Sequence, residues 1–116
     1  AVERHLALEH AGWKGGRGTA LLSRPDEAGF FRALVRGAAA HDAAFVGELL
    51  AGGRVVASTS NFVAGRQAFA FKVGWDPELA RCSPGLLVDA ALAQHAAALL
   101  HGVDLVDSCA DPGSYL

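Results

Sequence analysis

Methionine is absent from the 116 residues, tyrosine occurs once, and there are only two cysteines, Cys82 and Cys109. Two cysteines are too few for the disulfide frameworks that hold small secreted domains together, and no CxxC pair or His/Cys spacing marks a zinc site. A reducing, cytoplasmic compartment is the expectation, with no metal. Charge of one sign is also lacking: ten Lys and Arg stand against twelve Asp and Glu, for a formal charge of -2. Such a balance gives no basic field for a nucleic-acid backbone or an acidic membrane surface. No apolar run approaches a membrane span; the longest, Ala90 to Leu100, is interrupted by Gln94 and His95. No signal peptide, internal repeat or low-complexity linker is visible. The chain opens on Ala1 and stops at Leu116, and it reads as a piece of a longer protein. A second copy or the remainder of that chain is then the expected partner for any exposed sheet edge.

What is present is 52% hydrophobic residues, enough for one compact core. One domain over 1–116 is therefore expected, with residues 1–22 as a loop-rich N-terminal segment. Within that segment Gly12-Trp13-Lys14-Gly15-Gly16-Arg17-Gly18 is too glycine-rich for a regular element. Ser23-Arg24-Pro25-Asp26 then predicts a helix start, with Ser23 as the capping hydroxyl, and a helix to about His41. Its apolar residues Phe30, Phe31, Leu34, Val35 and Ala38 recur at helical steps and predict one buried face.

From Ala44 the period becomes that of a strand, and Gly52-Gly53 supplies a tight turn to a second strand from Arg54 to about Val63. A third strand, Gln67 through Trp75, is expected to show Phe69, Phe71, Val73 and Trp75 on one face. The other face carries Ala68, Ala70, Lys72 and Gly74, small enough, Lys72 apart, for a helix to lie close. Ser83-Pro84-Gly85 predicts a second helix to about His101, ended by Gly102, before a short strand through Val103, Leu105 and Val106 that lies parallel in the same sheet. The order predicts an α/β or α+β fold: a mixed, mainly antiparallel sheet with flanking helices.

The most informative stretch for chemistry is Arg81-Cys82-Ser83-Pro84-Gly85-Leu86-Leu87. A helix start just after a strand aims free N–H groups and a positive dipole end at one point, an arrangement that suits phosphate. Gly85 would permit close approach and Arg81 would add a charge; the competing reading is a good cap and turn and nothing more.

In context these residues resemble a GNAT-fold acyltransferase domain of the cellulose-biosynthesis and Fem-like acetyltransferase branch. The resemblance is carried by Gly12-Trp13-Lys14-Gly15, Gly18-Thr19-Ala20, Phe30-Phe31, Gly53-Arg54-Val55-Val56-Ala57, Phe69-Ala70-Phe71-Lys72-Val73, Trp75-Asp76-Pro77, Ser83-Pro84-Gly85-Leu86-Leu87 and Asp107-Ser108-Cys109-Ala110. It implies acetyl-CoA or another acyl-CoA as co-substrate, a small-molecule amine acceptor, and direct transfer between them. The pantetheine would lie between Gln67–Trp75 and Val103–Ser108, with the pyrophosphate at Ser83–Leu87. A backbone N–H near Val73, Gly74 or Trp75 would steady the thioester oxygen. The spacing of Arg81 four residues before Gly85, with Leu87 at a site the family keeps small, departs from its pyrophosphate motif. That departure supplies a second reading, a non-catalytic GNAT-like half acting as scaffold or interaction module. A sheet lacking further family elements is expected, with Ala1–Leu8 as the remaining stretch for the fold's early helix or strand.

Other residues divide between roles. Asp107 is the candidate base, against a strand-end hydrogen bond; Cys109 is a small residue rather than a nucleophile, since no histidine stands at a defined spacing. Lys72 either reaches a phosphate or carboxylate or runs to the sheet edge. Ser58, Ser60 and Asn61 read as an exposed strand face, against the lining of an acceptor pocket; Trp13 reads as a loop anchor, against a stacking and cationic surface with Lys14 and Arg17; and the five histidines read as surface residues, against a metal pair at His5 and His10.

Overall fold

A computed structural model describes residues 1–11, 20–99, 102–107 and 109. It contains three α-helices among those residues, α1 (Val2–Ala11), α2 (Pro25–Ala39) and α3 (Pro84–Leu99), and strands β1 (Ala44–Ala51), β2 (Arg54–Ala64), β3 (Gln67–Trp75) and β4 (Leu105–Asp107). The strands form one sheet in the order β1-β2-β3-β4. The first three are antiparallel and β4 runs parallel to β3. The fold is the mixed α/β architecture expected from the element order. No helix among the described residues is long and apolar enough to cross a membrane.

The β1-β2 hairpin turns at Gly52 and Gly53, whose φ values of 58° and 78° belong to the left-handed region that favours glycine. α2 starts at Pro25, whose missing N–H is harmless there. Its N-cap is Arg24, with no side-chain capping bond, so Ser23 does not hold the capping place. Ser23 closes a single 3-10 turn, Leu21–Ser23, that delivers the chain to the helix.

The N-terminal segment is not loop from its start: Val2–Ala11 is helical, overlapping the Ala1–Leu8 stretch that remained for an early helix or strand. The helix lacks an apolar stripe because the side it buries carries His5, Leu6 and Glu9. That side packs across β2 and β3. Two bidentate ion pairs hold its outer side, Arg4 to Glu48 of β1 and Glu3 to Arg32 of α2. The core beneath α1 and α2 is Leu6, Leu21, Phe31 and Val35, with Phe62 packed against it. α3 covers the other face of the sheet, burying Val88 and Leu92.

A second departure lies in β3. Ser60 pairs with Lys72 and the next β2 residue, Asn61, pairs with Ala70, so Phe71 is an extra residue, a β-bulge. The bulge breaks the alternation of β3. Phe69, opposite Phe62, and Phe71, in ring contact with Phe31 and Phe62, face α1 and α2, whereas Trp75 packs on α3. Lys72 and Gly74 meet Glu9 of α1. The four residues Phe69, Phe71, Val73 and Trp75 therefore do not share one face. The expectation of a helix lying close on small residues holds at Gly74.

Candidate functional site

β4 pairs with β3 over three positions, Gln67 with Leu105, Ala68 with Val106 and Phe69 with Asp107. From Ala70 to Trp75 the outer edge of β3 has no strand partner among the described residues. The described β3/β4 pairing thus ends at Phe69/Asp107, and among the described residues the sheet claims no backbone polar groups on that edge of β3 beyond it. Val73, Gly74 and Trp75, the stretch for the oxyanion donor, lie on that open length.

Beyond Trp75 the chain turns through Asp76. One carboxylate oxygen of Asp76 accepts the N–H of Glu78 at 3.0 Å and the other pairs with Arg54 at 3.0 Å. The short 3-10 segment Pro77–Cys82 follows, and Ser83, with φ 49° and ψ 54°, swings the chain into α3. Those angles lie outside the extended region from which a serine side chain caps a helix. What Ser83 supplies is its carbonyl, which accepts the N–H of Leu87 at 3.0 Å. Pro84 has no N–H, so the N–H groups of Gly85 and Leu86 precede the first helical hydrogen bond and belong to the positive end of α3.

Trp75, Ser83, Gly85 and Leu86 come together around one cavity of about 300 Å³, completed by Ala80 and Pro84. Gly85 is buried, and a Cβ placed on it would stand 3.0 Å from the Trp75 ring; its missing side chain makes room for an indole. Leu86 and Leu87 are exposed, and Arg81 is exposed with no ion pair among the described residues. The cavity thus has an aromatic wall and the start of α3 in its lining, while Arg81 lies in the segment before it and is not among the lining residues.

Asp107 ends β4 where the strands part, and its Oδ1 accepts the N–H of Cys109 at 2.8 Å. The strand-end hydrogen bond is present, and the carboxylate is exposed at the end of the described β3/β4 pairing. Burial, and then the Asp107 carboxylate, push the Cys109 thiol above its ordinary range, which disfavours the thiolate a nucleophile needs. Ser108, Trp13, Lys14 and Arg17 lie outside the described residues. No group of three or more His, Cys, Asp or Glu among the described residues is arranged to hold a metal ion.

The polar residues of β2 are not an exposed face. Ser58, Thr59, Ser60 and Asn61 are all buried. Ser58 Oγ lies 2.7 Å from His5 Nδ1, Ser60 Oγ accepts the N–H of Lys72 at 3.2 Å, and Asn61 Nδ2 donates to the Thr59 carbonyl at 3.2 Å. His5 is fully buried and is no surface histidine. Lys72 neither runs to the sheet edge nor stands free for a phosphate: its Nζ is 3.9 Å from Glu9 Oε2 and 5.5 Å from the centroid of the Phe71 ring. Glu9, 2% exposed, also accepts the N–H of Leu21 at 2.8 Å, so it fastens the turn before α2 to β3. Sequence reasoning missed Glu9. The signal was its spacing of four from His5, which puts both on one helical side with Leu6 between them.

The chain belongs to the GNAT acetyltransferase family: the model of the acetyltransferase (GNAT) domain matches residues 1–115. The general activity that membership carries is acyl transfer. No curated protein matches the chain significantly.

Proposed function

We propose that the chain is an acyl-CoA-dependent N-acyltransferase, acting in the cytoplasm on a small-molecule amine and belonging to the cellulose-biosynthesis and Fem-like branch. The observation that carries this reading is the short parallel pairing of β3 with β4, ending at Phe69/Asp107 among the described residues, on the strand that leads through Trp75 to the start of α3. Acetyl-CoA or another acyl-CoA would lay its pantetheine arm along the unpartnered edge of β3. Its phosphates would meet Arg81, Ser83 and the N–H groups of Gly85 and Leu86, with Leu87 at the rim.

In the reaction the amine nitrogen attacks the thioester carbonyl carbon, the C–N bond forms, the C–S bond breaks, and CoA leaves as the thiolate or thiol. A backbone N–H near Val73, Gly74 or Trp75 stabilises the oxyanion, and Asp107, at the end of the β3/β4 pairing, takes the proton that the amine releases. Positioning and oxyanion stabilisation supply most of the rate, and proton transfer a smaller part.

One observation favours the second reading, a non-catalytic half serving as scaffold: the space beside Gly85 is occupied by Trp75. Calorimetric titration with acetyl-CoA and with free CoA separates the two. Leu87→Glu is the informative variant, because Leu87 is 50% exposed and tolerates a charged side chain without disturbing the core. Binding by the wild type and its loss in Leu87→Glu supports the enzyme. A folded wild type that binds neither ligand supports the scaffold.

A further inference from the structure

On the sheet face opposite α3, a second cavity of about 410 Å³ opens between α2 and β3. Its apolar walls are Leu21, Phe30, Phe31, Leu34 and Phe71. Phe31 and Phe71 stack at 5.9 Å with an interplanar angle of 16°, forming an aromatic floor. Core packing does not account for the rest of the wall, since Phe30 is 69% exposed, Phe71 48% and Leu34 41%. The apolar stripe of α2 is therefore split: Phe31 and Val35 enter the core, while Phe30 and Leu34 stay at the cavity. Phe71 reaches it because the bulge in β3 turns two consecutive side chains, Phe71 and Lys72, to the same side.

Three charged residues complete the lining, Asp26, Glu27 and Lys72. Lys72 is paired with Glu9 at 3.9 Å, and Glu27 with Arg24 at 3.2 Å. Asp26, exposed in the first turn of α2, has no ion pair among the described residues. Among the described residues the charge left over at the cavity is thus negative. Aromatic faces attract cations and are indifferent or hostile to anions. We propose that this cavity binds a small organic cation with an apolar, preferably aromatic, body, its ammonium toward Asp26 and its body against Phe30 and Phe71.

The cavity shares Phe71 and Lys72 with the strand whose other edge is the acyl-CoA gap. Where the acyltransferase reading holds, its occupant is the amine acceptor; only that last identification rests on the reading, and binding stands without it.

The test is a titration of the isotopically labelled chain, free of any CoA, with 2-phenylethylamine, 3-phenylpropionate and 2-phenylethanol, followed by backbone amide NMR. The amine should shift the amides of Leu21, Phe30 and Phe71 and bind about tenfold tighter than the carboxylate, the preference one charge contact and one cation–π contact provide. Phe30→Ala, at an exposed position, should weaken the amine about fivefold. Asp26→Asn should bring the amine to within about twofold of the alcohol. Failure of all three probes to bind, shifts confined to other residues, equal binding of the carboxylate, or an unchanged preference in Asp26→Asn would each overturn the proposal. Acetyl-CoA titrated into the same sample reads the other site: amine binding without acetyl-CoA binding sinks the acyltransferase reading and leaves the cavity, and the converse result does the reverse.

Discussion

Gly74 lies against the backbone of Glu9: a Cβ placed on Gly74 would stand 2.8 Å from Glu9 Cα and 2.7 Å from the Leu8 carbonyl carbon. Neither is the end of a flexible side chain, so α1 itself would have to move. Gly74→Val is expected to destabilise the fold by about 1–3 kcal/mol through overpacking. The urea midpoint checks this; a midpoint equal to wild type would show that α1 is not held against β3.

Lys72 is the cation beside a buried carboxylate, and its side chain is 29% exposed. Lys72→Met should cost about 2 kcal/mol by leaving Glu9 without that charge, less than a fully buried pair because water reaches the lysine. Adding Glu9→Gln should recover part of the loss. The double-variant cycle in urea denaturation measures the coupling, and additive losses would rule it out.

Two carboxyls tie α1 to its neighbours. The guanidinium of Arg4 holds Glu48 below the usual carboxylate range, and that of Arg32 does the same for Glu3. A depressed folded value means that the stabilisation is present above the unfolded value, about 4.3, and is lost as pH falls through the lower folded one. Urea midpoints should therefore drop on acidification below about pH 4.3, and Glu48→Gln should make that drop shallower. At neutral pH the variant should stay close to wild type, since solvent and salt screen such pairs.

Cys109, though exposed, should alkylate more slowly than Cys82 at pH 8, since partial desolvation and then the Asp107 carboxylate push its thiol up. Asp107→Asn keeps an oxygen for the Cys109 N–H and removes the charge, so labelling with iodoacetamide should accelerate by about twofold or more. Peptide mass spectrometry follows Cys109, with Cys82, exposed like Cys109, as the internal reference.

The strands, their turns and the helix starts were legible because each rests on a local signal: Gly52-Gly53 for the hairpin, Pro25 and Pro84 for the helices, alternation for β1. The candidate site was legible in part, since Trp75, Ser83, Gly85 and Leu86 do meet at one cavity. What escaped is linked. α1 hid because its buried side is polar, and β2 read as exposed because its buried residues are Ser58, Ser60 and Asn61; His5 and Ser58 meet across the two elements, and only their juxtaposition shows it. The bulge at Phe71 has no signature in a single sequence, so the side on which each later residue of β3 falls could not be derived by counting in twos.

That one extra residue makes β3 a party wall. Without it, Lys72 and Gly74 would fall on the α3 side and Trp75 on the α1 side, putting a lysine where the indole stands and an indole where Gly74 leaves room for a helix. With it, a single short strand furnishes two rooms with different linings, Phe71 and Lys72 to one and Trp75 to the other. The partition between those rooms is the thickness of one peptide backbone.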